Sequence, residues 1–75
     1  MNLSQAKLNT MCVVQNVAVK DFNFKIRLME LGLTAGTKIE VKHKSSLKKT
    51  LLVVFAYSCF TLKENIAKEI EVTYA

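Results

Sequence analysis

Between Thr37 and Lys44 the chain alternates without a break. Ile39, Val41 and His43 fall on one side of an extended backbone, and Lys38, Glu40, Lys42 and Lys44 fall on the other. A strand with one wet and one dry face belongs to an antiparallel sheet and needs partner strands to cover its apolar side. The rest of the sequence supplies them. Residues 10 to 19 are rich in β-branched and apolar types, and Thr50 to Phe55 is apolar on both faces, as a central strand would be. Cys59 to Leu62 and Glu69 to Thr73 read as two further strands. Proline is absent, so the punctuation falls to Gly32, Gly36, the asparagines and the Ser45-Ser46 pair. Ser45 to Lys49 reads as a polar loop, Ala56 to Ser58 as a turn, and Asn65 to Lys68 as a single helical turn.

One segment departs from the strand pattern. Asp21 offers a carboxylate to the free amides of a first helical turn. Phe22, Ile26 and Met29 then recur at helical spacing, Phe24, Leu28 and Leu31 form an adjoining stripe, and Asn23, Arg27 and Glu30 share the opposite face. Gly32 stands where a left-handed residue would close the helix. The pattern predicts one short helix near residues 22 to 31. Five short strands and one helix in 75 residues predict a mainly β fold, a small and strongly bent barrel in one domain spanning 1–75.

A chain of this size buries little volume for a deep cleft, yet 51% of its residues are apolar, enough for a core without disulfides or a structural metal. Cys12 and Cys59 form no closely spaced pair, and they read as reduced, buried hydrophobes of a cytosolic protein. The N-terminal residues show no basic start or apolar run of a signal peptide. The longest apolar run, Leu51 to Tyr57, has seven residues, against about 20 for a membrane helix. The net charge of +5 suits an acidic protein surface, a lipid headgroup layer or nucleic acid without choosing among them.

The segment from Ile26 to Val41, Ile-Arg-Leu-Met-Glu-Leu-Gly-Leu-Thr-Ala-Gly-Thr-Lys-Ile-Glu-Val, resembles the R-L-x-x-L-G-[LM]-x-x-G-x-x-[IV]-x-V signature of the ferrous iron transport protein A (FeoA) family. Leu3-Ser4 resembles the family's opening turn, Leu62-Lys63 its Leu-Arg pair after the last hairpin, and Ala67, Ile70 and Val72 its closing pattern. The chain departs from the family at Asn9, at Lys48-Lys49-Thr50 and at Ala56, where glycine-containing segments are usual, so the last hairpin turn is expected to differ in type. The resemblance implies an SH3-like barrel. It further implies a stand-alone cytosolic accessory that docks on the GTPase region of the FeoB-type membrane transporter and meets the membrane only through that partner.

Chemistry of the chain's own is sparse. Asp21 is the sole aspartate and already caps a helix, the glutamates lie on polar faces, and no phosphate-binding loop occurs. No catalytic residues and no cofactor are expected. Cys12, His43 and Cys59 come from three separate strands, and His43 reads as a buried or half-buried structural residue, so no metal site is expected. The basic loop around Lys48 and Lys49 keeps open an SH3-like nucleic-acid-binding module, or a regulatory domain related to metal-dependent repressors. The expected partner contacts are Arg27 and Glu30 on the exposed helix face, Leu33 at a surface position just past the cap, and Lys48 and Lys49 in the loop. Leu28 is expected to support that surface from below.

Overall fold

A computed structural model describes all residues, 1–75. Five antiparallel strands form one sheet: β1 (Cys12–Val17), β2 (Lys38–Ser45), β3 (Thr50–Phe55), β4 (Ser58–Lys63) and β5 (Ile70–Tyr74), in the order β4-β3-β2-β1-β5. Helix α1 (Phe22–Glu30) connects β1 to β2, and the single turn α2 (Glu64–Ala67) connects β4 to β5. The strands at the two ends of the order are therefore joined by only six residues, 64 to 69, which requires the sheet to curl. The overall extents of 27 × 26 × 23 Å are those of a closed-up sheet rather than a flat one.

Two bulges produce the curl. The β1–β5 register shifts between Val14 and Asn16, and the β2–β3 register shifts between Val41 and His43. An extra residue on one strand sharpens the local twist and flips the facing of everything after it. The alternation in β2 holds as expected through Ile39 and Val41, both fully buried. Past the bulge at Lys42, His43 turns to the outer face opposite Leu52 and is exposed, contrary to the buried role expected of it. Lys44 pairs with Leu51 on the inner side. Its Nζ donates to the carbonyls of Ser4 (2.9 Å) and Ala6 (2.7 Å), tying down the 3-10 turn Leu3–Gln5.

Seventeen residues form the core, all apolar, with no polar side chain among them. Leu3, Leu33, Ile39, Val41, Val53 and Ile70 are fully buried there. Phe60 stacks on Phe55 with ring centroids 4.5 Å apart, extending the core beneath the last hairpin. The free edge of β5 is partly covered by the N-terminus. Asn2 bridges to Glu71, and the Val72 amide donates to the Met1 carbonyl at 2.9 Å.

Helix α1 begins as the sequence predicts, with an Asp21 carboxylate oxygen accepting from the Phe24 amide at 3.2 Å. It ends in a glycine cap. Gly32 takes a φ of 103°, its amide donates to Met29, and the Leu33 amide donates to the Leu28 carbonyl at 2.9 Å. In this cap the residue after the glycine packs on the residue that receives its hydrogen bond. Leu33 and Leu28 fill those two places and are both buried, so the expectation of a surface Leu33 is wrong.

A buried leucine truncated to alanine costs about 2–5 kcal/mol. Leu33→Ala is therefore expected to lower stability by that amount in urea unfolding, while Arg27→Glu on the preceding helix stays within about 0.5 kcal/mol of the parent. Equal effects of the two would contradict the cap geometry.

Candidate functional site

The helix is apolar over a wider arc than it can bury. Leu28 is its one buried residue, and Phe24 packs partly against the core. Nine residues span only about 13 Å. Of the Phe22, Ile26 and Met29 row, Ile26 is half-buried while Phe22 and Met29 turn outward, Phe22 exposed to 70%. Arg27 and Leu31, one turn apart, form a second row with Glu30 beside it, all exposed. Leu31 falls on the apolar stripe of Phe24 and Leu28. It stays outside because the cap commits Leu33 to the core in its place.

The second component is the β3–β4 turn. Phe55 pairs with Ser58, leaving Ala56 and Tyr57 as a two-residue loop. Both take left-handed conformations, φ 51° and 60°. That is the turn which matches the strand twist, and it ordinarily carries Asn-Gly. A non-glycine residue in this region costs roughly 1–2 kcal/mol. The strained turn presents Tyr57 with its whole side chain in water. Sequence reasoning assigned Tyr57 to the turn but gave it no role. The signal that could have found it is the two-residue gap between Phe55 and Ser58 in otherwise continuous strands.

These pieces meet. A methyl group built at Gly32 would stand 3.5 Å from the Cβ of Ala56. The glycine cap that follows α1, one residue past Leu31, therefore approaches the turn carrying Tyr57. Lys48 and Lys49 lie elsewhere: they precede Thr50, at the far end of the six-residue β3, about 17 Å away. The sequence-predicted contacts thus divide into an exposed helix pair (Arg27, Glu30), a buried supporting pair (Leu28, Leu33) and a separate basic loop (Lys48, Lys49).

Cys12, His43 and Cys59 do not converge, and no three His, Cys, Asp or Glu side chains gather where they could hold an ion. Cys12 is buried, its Sγ donating weakly to the Thr10 carbonyl at 3.6 Å. Cys59 lies on the outer face of β4 opposite Val54 and is exposed, against the expectation that both thiols are core residues. Burial pushes the Cys12 thiol up, and the Glu40 carboxylate adds to the rise.

The fold and its surface define an SH3-like domain. The model of the FeoA domain family matches residues 1–74, and the chain belongs to that family. The solution structure of a FeoA protein from Chlorobium tepidum superposes with a TM-score of 0.89 at 31% identity, covering 99% of this chain and 70% of that one. The crystal structure of Stenotrophomonas maltophilia FeoA complexed with zinc gives 0.82 at 32% identity, covering 97% and 89%. That protein is described as an SH3 domain protein and put forward as a bacterial ferrous iron transport activating factor. A manganese-dependent transcriptional repressor shares the fold alone, with a TM-score of 0.88 at 13% identity over 100% of this chain and 41% of that one. No curated protein matches by sequence.

The two thiols should behave differently. A thiol reagent at neutral pH is expected to label Cys59 promptly and Cys12 only on unfolding, as mass spectrometry would report. The raised Cys12 value also has a stability consequence. The unfolded chain ionises first, so stability is intact below the ordinary thiol range and falls as pH rises through it towards the folded value. Prompt labelling of Cys12 in the folded chain would contradict its burial.

Proposed function

We propose that this protein is a non-enzymatic, cytosolic accessory of ferrous iron uptake that docks on the GTPase region of a FeoB-type transporter. Its docking surface is the last turn of α1 together with the β3–β4 turn. Family membership supports the link to iron transport. The observation that carries the docking site is Tyr57, wholly exposed on a strained turn whose Ala56 approaches Gly32, the residue after the exposed Leu31. Strain of this kind persists only where the surroundings enforce it, and it concentrates at sites of function. An exposed tyrosine on one turn, with an exposed leucine, arginine and glutamate at the end of the helix that meets that turn, has the composition of an interface centre with a polar rim.

Leu28 and Leu33 hold this surface in place and touch no partner. Arg27 and Glu30 supply charge whose value lies in orientation and encounter more than in affinity.

Co-purification with the transporter and cellular ferrous iron uptake test the reading together. Tyr57→Ala is expected to weaken association about 30-fold, the effect of losing an aromatic anchor worth about 2 kcal/mol, and to lower uptake. Its melting temperature should not fall, because an exposed side chain on a strained turn contributes little packing. Replacing the turn by Ala56→Asn with Tyr57→Gly should raise stability while still losing the partner. If both variants associate and support uptake like the parent, the docking surface is misassigned.

A further inference from the structure

Four of the chain's eleven lysine and arginine side chains gather at the end away from Tyr57. Where the β2–β3 loop meets α2, Lys48, Lys49, Lys63 and Lys68 surround one carboxylate, that of Glu64. Glu64 is already paired with Lys68 at 3.3 Å, and the other ion pair of the chain, Lys42 with Glu40, lies on β2. Lys48, Lys49 and Lys63 therefore have no acidic partner.

The cluster is fixed by backbone geometry. The Glu64 amide donates to the Lys49 carbonyl at 2.8 Å, Lys63 sits opposite Thr50 in the ladder, and the Lys48 amide donates to the Ser45 hydroxyl at 3.2 Å. Lys49 takes a left-handed φ of 51°, where glycine or asparagine costs less. At the tip of this loop Leu47 is 96% exposed. Folding explains neither the gathered like charges nor a leucine held out in water.

We infer that the end formed by Leu47, Lys48, Lys49 and Lys63 rests on an anionic phospholipid surface. The lysines meet headgroup phosphates, and Leu47 enters the boundary between headgroups and acyl chains. An apolar side chain among unpaired cations is the combination that binds a charged bilayer surface, where each lysine adds to the attraction. Single-stranded nucleic acid fits less well, because it needs stacking aromatics and none lines the lysine concavity. The family resemblance implies the membrane only through the transporter; this surface adds a direct contact. It lies at the opposite end of β3 from Tyr57, so both surfaces can be engaged at once. It requires no transporter, which keeps its failure distinct from failure of the docking reading.

Sedimentation of the full chain with phosphatidylcholine vesicles, with and without phosphatidylglycerol, tests the inference. Binding is expected only to the vesicles containing phosphatidylglycerol and should weaken as salt rises. Lys48→Gln and Lys49→Gln should each weaken it about 5-fold. Leu47→Ser should weaken it at unchanged charge, while Lys38→Gln, an equal change of charge elsewhere, should leave it within about 2-fold. Circular dichroism checks that each variant stays folded. Equal binding to both vesicle types, or equal losses from Lys38→Gln and Lys48→Gln, overturns the inference. So does indifference to Leu47→Ser combined with lysine-dependent binding of single-stranded RNA or polyglutamate, which would assign the surface to a soluble polyanion.

Discussion

The packing of Leu33 on Leu28 across the glycine cap is the contact on which the arrangement of α1 depends. The helix offers the core only Leu28 as a buried residue, so its position on the sheet is fixed chiefly where the chain leaves it. Gly32 makes the reversal, the Leu33 amide closes on the Leu28 carbonyl, and the Thr37 hydroxyl donates to the Gly32 carbonyl at 2.9 Å. The Thr34–Thr37 turn then hands the chain to β2, anchored on β1 by the Gly36 amide donating to Val14 at 2.7 Å. Moving Leu33 outward would free the helix end and separate Arg27, Glu30 and Leu31 from the Ala56–Tyr57 turn.

The same economy of core explains why so much apolar surface is left outside. A small curled sheet encloses a core of seventeen residues, and the strands fill most of it. Phe22, Met29 and Leu31 share a short helix with Leu28 and cannot all face inward. Leu47 and Tyr57 stand at loop tips at opposite ends of β3, beyond the reach of the core. One tip has cations around it and the other carries an exposed aromatic, so the two ends differ in the chemistry they offer.

Much of the fold was legible in the sequence because it rests on local rules. The Asp21-to-Gly32 frame gave the helix within one residue, period-two alternation marked β2, and β-branched and apolar runs between polar breaks marked other strands. The FeoA signature is made of the residues that build the cap, which is why it identifies the fold so directly. The errors share a physical source. His43 and Cys59 face out because facing depends on bulges and sheet position, which periodicity alone does not report. Leu33 was misplaced by treating the residue after a glycine cap as free, when the cap itself directs it inward. Tyr57 was passed over because its exposure depends on a turn conformation that Ala-Tyr seldom adopts.

Backbone amide shifts of the labelled chain, followed as a transporter's GTPase region is added, test the central claim most directly. The account predicts perturbations concentrated at Arg27, Glu30, Leu31, Ala56 and Tyr57, with Lys48 and Lys49 unaffected in the absence of lipid. Perturbations confined to the lysine loop or the β5 edge, or none at saturating partner, would contradict it.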